Sequence, residues 1–205
     1  DMLTRWGRED KDALEEGITS IRSEAENMQQ LIEKLLFLAR ADQKRQAINK
    51  EDIDLAALLA DTMEKMHTVT TTHTITLGKN ASATVHVDPV LLRQLLRIFL
   101  DNSVKYTPPG GHIRAASTLS EDGTAVTVTL SDDGIGIAPE HQPRIFDRFY
   151  RVDSSRTKET GGSGLGLSIA RWIAEQHDIT VTLESAVDVG TTITLHIPTV
   201  QPQAK

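Results

Sequence analysis

The chain contains no cysteine, which removes disulfide frameworks and thiolate zinc sites from consideration. No apolar stretch approaches the eighteen or more residues that would span a bilayer, and no signal peptide is recognised. Basic runs are missing as well. Lys and Arg number 22 against 29 Asp and Glu, for a formal net charge of −7; no nucleic acid is expected as a partner. His67, His73, His86, His112, His141 and His196 show no paired spacing for a metal, so each reads as an ordinary surface or edge histidine. The 205 residues suffice for one domain of roughly 150 residues plus an appendage.

What the chain does have is two glycine clusters about thirty residues apart. The first, Asp132-Asp133-Gly134-Ile135-Gly136-Ile137, reads D-x-G-x-G-I and directly follows a strand-like run, Val126 to Leu130. The second, Gly161-Gly162-Ser163-Gly164-Leu165-Gly166-Leu167, opens a helix-like run from Leu167 to Glu175. Glycines before a helix let the backbone approach a phosphate, and the helix N-terminus presents unpaired N–H groups to the anion. A carboxylate beside the first cluster can accept a hydrogen bond from an exocyclic amine such as that of adenine. Together they point to a nucleotide pocket, although neither matches G-x-x-x-x-G-K-[ST] or a strand-linked G-x-G-x-x-G.

Two further blocks change the weight of that reading. Leu91 to Pro108 carries Asp101-Asn102-Ser103-Val104-Lys105-Tyr106-Thr107-Pro108, and Ile145 to Asp153 carries Phe146-Asp147-Arg148-Phe149-Tyr150-Arg151. In this order the four blocks resemble the N, G1, F and G2 boxes of sensor histidine kinases, whose ATP-binding domain has the Bergerat (GHKL) fold. The resemblance runs from the first helix to about Pro198. The F box together with G-x-G-L-G-L is specific to the kinases within that superfamily.

Leu14, Ile18, Ile21, Ala25, Met28, Ile32 and Leu35 alternate spacings of four and three, an a/d pattern that puts one apolar stripe on a long helix. Such a stripe needs a partner helix. It resembles the second helix of the family's dimerisation and histidine-phosphotransfer hairpin, which implies a homodimer through Leu14–Leu35. Asp1 to Trp6 would then end the first helix, and Gly7 to Lys11 form the bend. The family's phosphoacceptor motif on the first helix is not found around any of the seven histidines; His177-Asp178-Ile179-Thr180 has the acid but lies after the G2 helix. A chain opening at Asp1 is expected to be an excised cytoplasmic fragment of a cell-membrane receptor, with membrane segments outside it.

Ala41 to Lys50 is polar and reads as a hinge. Asp54 can N-cap a helix from Leu55 to Met66. Strand-like runs follow at Thr74–Leu77 and 83–87, then Asp88-Pro89 opens a helix over 90–105. Leu91, Leu95, Ile98, Phe99 and Asn102 share one broad face of it, expected to be buried. More strands are expected at 112–116, 126–130, 180–183 and 191–197, with turns at Gly123 and Gly190. The expected fold class is α/β, a two-layer α/β sandwich whose mixed sheet carries three helices on one face, preceded by a long dimerisation helix. Residues 1–44 would be the partial dimerisation region, 45–200 the catalytic ATP-binding domain and 201–205 a tail. Ala138 to Gly162 has few aliphatics, and its polar stretch Asp153–Thr160, expected not to pack without ligand, resembles the mobile ATP lid.

By resemblance the cofactors are ATP and Mg²⁺. Asn102 would give its side-chain oxygen to the metal, and Asp132 would read the adenine amine, with Gly134 and Gly136 letting the base come close beside Ile137. Lys105 and Tyr106 would meet phosphates or the lid side of the nucleotide, near Tyr150. Arg151, and secondarily Arg148, would reach the terminal phosphate. Gly162, Gly164 and Gly166, with Leu165 and Leu167, would wrap the phosphates at the helix start. The catalytic set would be Asn102, Lys105 and Arg151, the acceptor a histidine, and the later partner a response-regulator receiver domain. Three departures from the family pattern stand out. Ile98 replaces a second asparagine, Ser103 replaces an alanine, and Asp178-Ile179 replaces a Gly-Gly turn, so the G2 helix is expected to end differently. A clamp-driving Bergerat ATPase is disfavoured by the heptad helix and the absence of a transducer domain. A nucleotide-sensing dimer without transfer is the non-catalytic alternative, motivated by Ile98.

Overall fold

The computed structural model describes residues 11–152 and 162–200. The chain divides into two units, Asp1–Gln46 and Ala47–Lys205. In the first, helix α1 spans Lys11–Asp42. Lys11 is already helical rather than part of a bend; the expected bend at 7–10 and helix tail at 1–6 lie outside the described residues. Ion and amide pairs four residues apart, Arg22–Glu26 at 3.1 Å and Gln29–Glu33 at 3.0 Å, brace its polar face. Its stripe is left uncovered by the rest of the single chain: Ile18, Ile21, Met28 and Ile32 are each more than half exposed. No helix among the described residues is long and apolar enough to cross a membrane.

The second unit begins with β1 (Glu51–Asp54), α2 (Leu55–Val69), β2 (Thr74–Leu77), β3 (Thr84–Val87) and α3 (Pro89–Tyr106). It continues with β4 (His112–Leu119), β5 (Ala125–Asp132), α4 (Gly166–Gln176), β6 (Thr180–Ala186) and β7 (Gly190–Pro198). Five strands form one mixed sheet in the order β2-β4-β5-β7-β6, with β2 parallel to β4 and the remaining pairs antiparallel. Strand β1, which its polar Glu-Asp-Ile-Asp sequence did not announce, pairs antiparallel with β3 in a separate ladder.

Register explains where the core lies. Leu130 pairs with Ala115 and Ile193, Val128 with Ser117 and Leu195, Val126 with Ile197. Because side chains alternate between faces, these rows make one apolar face. Against that buried face the helices contribute Leu55, Leu59, Met66, Leu92, Leu95, Leu96, Leu100, Ile169 and Ile173, all 2% exposed or less. Each fully buried side chain of this kind contributes about 1.5–3 kcal/mol. The helix starts follow from their caps: Asp54 Oδ1 accepts from the Ala56 N–H at 2.9 Å, and Asp88 Oδ1 from those of Val90 and Leu91. Two residues depart from expectation on α3: Ile98 and Asn102 are half-buried rather than buried, while Ser103 on the neighbouring face is 7% exposed.

Candidate nucleotide site

Asp132 is two residues beyond Leu130 on β5, so alternation turns its carboxylate toward the helix-covered face. Apolar neighbours there would oppose a charge without partners. It has three: Oδ1 accepts from the backbone N–H of Gly134 at 3.1 Å and of Thr191 at 3.2 Å, and Oδ2 accepts from the Ser103 hydroxyl at 2.7 Å. Asp133 points the other way. Its carboxylate takes the backbone and ring nitrogens of His112 at 2.7 and 2.8 Å, and those bonds hold its carboxyl below the usual range.

The glycines of this loop are required by close backbone approach. A Cβ at Gly134 would lie 2.6 Å from the Tyr106 carbonyl oxygen. Gly136 has φ +65 and its Cβ would run into the Ala186 carbonyl; one at Gly190, φ +127, would strike the Asp132 carbonyl. Ile135 donates to the Tyr106 carbonyl at 3.1 Å, and Ile137 donates to Ser185 Oγ at 2.8 Å. Gln142 closes the ring, its Nε2 donating to the Ile137 and Ser185 carbonyls. Neither Gln142 nor Ser185 carries a sequence signal of its own; both become visible only through β6–β7 pairing.

Helix α3 brings the second block alongside. Ile98 Cγ2 is 3.5 Å from where a Gly166 Cβ would sit, and Lys105 Nζ is 2.5 Å from the equivalent point at Gly162. Asn102 lies one turn on from Ile98. Lys105 also stands over the Tyr106 ring, 5.1 Å from its centroid. Leu165, fully buried, is the N-cap of α4 and provides no capping side chain. Gly166, Leu167 and Ser168 thus open the helix with N–H groups that no side chain caps, facing the α3 side. Ser163 Oγ beside them is buried and has no hydrogen-bond partner among the described residues. An uncapped helix start, a lysine and an orphan hydroxyl fit an anionic phosphate chain. No group of three or more His and acidic side chains among the described residues could hold a metal. A single amide oxygen at Asn102 fits a hard cation that keeps its waters and leans on substrate phosphates.

The F-box stretch is packed in part. Ile145 is buried, Tyr150 Oη and His141 Nδ1 are 2.8 Å apart, and the Arg144 guanidinium stacks 4.4 Å over the Tyr150 ring. Phe149 adopts φ +62, a left-handed conformation unusual for a bulky residue, and donates its N–H to the Gly164 carbonyl at 2.9 Å. A Cβ at Gly164 would come within 2.8 Å of the Phe149 backbone, so F and G2 boxes are interlocked. Arg148 and Arg151 are exposed on the approach to residues 153–161. The polar stretch Asp153–Thr160 and Gly161 lie outside the described residues.

Helix α4, expected to end differently for want of a Gly-Gly turn, ends in a glycine-like conformation all the same. Asp178 takes φ +56, the conformation glycine would supply, and Ile179 donates back to the Ala174 carbonyl at 2.9 Å. Just before it, His177 is 3% exposed. Its Nε2 accepts the Asp88 backbone N–H at 3.1 Å and its Nδ1 is 2.7 Å from the Ile173 carbonyl, an arrangement that needs the neutral ring. Burial pushes the His177 pKa down, against the raising effect of the Ile173 bond. Burial also raises the Asp88 carboxyl, but the N–H groups of Asn49, Leu91 and Val90 outweigh it and hold it low. His177 thus ties the end of α4 to the cap of α3.

The family described as histidine kinase-, DNA gyrase B-, and HSP90-like ATPase matches residues 87–201. The sensor histidine kinase YkoH of Bacillus subtilis (strain 168) is 36% identical over 194 residues, 95% of this chain and 42% of that protein. The sensor histidine kinase WalK of the same strain is 30% identical over 97% of this chain and 33% of its own length. The chain therefore spans less than half the length of these curated relatives. Full-length ShkA, solved in complex with AMPPNP, superposes with a TM-score of 0.75 over 93% of this chain and 40% of its own, at 24% identity, which speaks to the fold. The chain belongs to the histidine kinase-, DNA gyrase B- and HSP90-like ATPase family, and its ATP-binding domain is of the sensor histidine kinase kind.

Proposed function

We propose that this chain is the catalytic part of a two-component sensor histidine kinase, which transfers the ATP γ-phosphoryl group to a histidine on a dimerisation helix. The observation that carries the reading is the pairing of an inward-turned carboxylate with an uncapped helix start on either side of α3. Asp132 is turned inward and bonded by Ser103 at one end, and at the other the α4 start, uncapped by any side chain, has Lys105 and Ile98 of α3 beside Gly162 and Gly166, with Asn102 one turn on from Ile98. Asp132 accepts from the adenine amine, while the bare backbone at Gly134 and Gly136 leaves room for the ring. Gly162, Gly164 and Gly166, flanked by Leu165 and Leu167, offer main-chain N–H groups to the phosphates, and Lys105 adds a positive charge. Tyr106, Ile137 and Tyr150 line the cleft, and Asn102 holds Mg²⁺ through its amide oxygen. Bound Mg²⁺-ATP supplies the transferable phosphoryl group and neutralisation of the charge that develops as it moves. Arg151, with Arg148 as its alternate, supplies a planar donor fork for the terminal phosphate.

Residues 1–44 are assigned as part of the dimerisation hairpin, 45–200 as the catalytic domain and 201–205 as a tail, the whole being cytoplasmic. The exposed α1 stripe supports a homodimer through Leu14–Leu35, and a response-regulator receiver domain is the later phosphate acceptor. Lysines at Ile21 and Met28 should therefore dissociate the chain while the domain from Lys50 onward stays folded. Light scattering that still reports a dimer would count against the seam. Radiolabelled ATP mixed with this chain and a histidine-bearing cognate hairpin tests the reaction. Acid-labile label on the hairpin, with almost none on this chain, is expected. Released phosphate without transfer would indicate a simple ATPase, no turnover would indicate a nucleotide sensor, and strong self-labelling at any of the seven histidines would relocate the acceptor.

A further inference from the structure

We infer that Ser103 is a specificity-positioning residue: its hydroxyl fixes the free oxygen of Asp132 so that the site selects a 6-amino purine over a 6-oxo purine. This rests on the reading of Asp132 as the group that meets the base. Ser103 follows Asn102 on α3, and one helical step of 100° separates their directions. Asn102 is half-buried, while Ser103 is 7% exposed and reaches β5. A serine inside a helix ordinarily returns its proton to the carbonyl one turn back. Here the proton goes to Asp132 Oδ2 at 2.7 Å.

The geometry of the carboxylate gives that bond a function. Oδ1 is tied by two backbone donors, Gly134 N–H and Thr191 N–H, and both come from the loop and strand that flank the cleft. The torsion about the Cβ–carboxylate bond of an aspartate is broad and soft. Rotation about it moves both oxygens together, and the Ser103 bond on Oδ2 sets the carboxylate plane from the α3 side while the two backbone donors hold Oδ1. Ser103 removes this freedom. It also spends its only proton in doing so, and the Ser103–Asp132 pair therefore presents the base with lone pairs and no donor of its own. An exocyclic amine meets an acceptor already aimed. An oxo group meets repulsion, and nothing nearby on Ser103 remains to offer it a proton.

A hydroxyl that merely satisfied a buried carboxylate would support the fold without affecting base choice, and this difference is measurable. The probes are ATP and ITP, which differ by an amine against an oxo group at one ring position, titrated calorimetrically against the full chain. The wild type should favour ATP by at least roughly tenfold, the scale of one hydrogen bond to a charged group. Ser103→Ala should shrink that preference about fivefold, through weaker ATP binding with ITP almost unchanged. Ser103→Cys keeps the volume and offers a weaker donor, so it should fall between; it carries the test if the alanine variant melts early. Equal weakening of both nucleotides would make Ser103 a structural hydroxyl and overturn the proposal. A preference that survives in both variants would remove Ser103 and leave Asp132 as the reader. A wild type indifferent to the two nucleotides would remove Asp132, and Ser103 would fall with it.

Discussion

The two ends of the candidate cleft are built on opposite principles. At the Asp132 end most polar groups are already engaged within the protein: the carboxylate has three donors, Ile137 and Gln142 are tied to Ser185, and the glycines touch neighbouring backbone, the exception among the described residues being the buried Thr107 hydroxyl beside Gly134. The α4 end holds open donors instead, with an uncapped helix start and a buried Ser163 hydroxyl lacking a partner among the described residues. A pre-satisfied end costs nothing to organise at binding, so it suits selection of a rigid base. An end with unspent donors suits a flexible, highly charged chain whose position changes during reaction. Substitutions at the first end should therefore act on affinity and stability, and those at the second on turnover.

The sharpest way to break this contrast is Asn102→Ala. Phosphotransfer to a hairpin should fall by at least two orders of magnitude, about 2.7 kcal/mol of transition-state stabilisation, while nucleotide affinity falls much less. The metal offsets charge most where the phosphoryl group is moving, so its loss harms the transition state more than the ground state. Equal losses in affinity and turnover would merge the two ends into one binding site.

Gly136→Ala probes how far the base end depends on backbone proximity. The left-handed φ of +65 costs a side chain about 1–2 kcal/mol, and the collision with the Ala186 carbonyl adds about 1–3 kcal/mol more. Gly123→Ala is the control, since φ is +71 there and nothing lies within 4 Å of its Cβ. Both variants carry the backbone cost and only the first carries the collision. Matching melting temperatures would show that the loop yields freely. Next in size comes Asp132→Asn, which replaces one acceptor oxygen with a donor and should weaken ATP binding by roughly 1.5–3 kcal/mol. Unchanged affinity by calorimetry would take Asp132 out of the cleft.

Much of this architecture was legible along the chain because it is written in local signals. Asp54 and Asp88-Pro89 announced two helix starts, and alternation announced the strands. The glycine clusters marked places where backbone meets backbone. What stayed hidden depends on residues distant in sequence. Strand β1 is polar and short, and only its pairing with β3 makes it a strand. Ser103 and Thr191 meet Asp132 across 29 and 59 positions, and no spacing rule connects them. Asp178 shows the converse: without the family's Gly-Gly turn a different helix end was expected, yet an aspartate takes the left-handed conformation itself, as short polar side chains can.

The smallest effect, and the one that couples the two ends, belongs to His177. It lies outside the cleft but joins the end of α4 to the cap of α3, the two helices that face each other there. Its ring must be neutral for Nε2 to accept the Asp88 N–H, and protonation would set two donors against each other. Burial depresses its pKa in the folded chain, whereas the unfolded chain titrates near 6.5. Between those values the unfolded state binds more protons, so stability is intact above pH ~6.5 and declines as the pH falls. For one proton the slope cannot exceed about 1.4 kcal/mol per pH unit. Asp88 contributes in the same direction but lower, below the ordinary carboxylate value near 3.9, so the two windows separate. Thermal unfolding measured from pH 8 to pH 5 should show the decline in the wild type. His177→Gln, which cannot gain the proton, should start less stable and change less over the same range. Parallel curves for the two proteins would clear His177 of any part in the acid response and leave the helix-to-helix tie as a static contact.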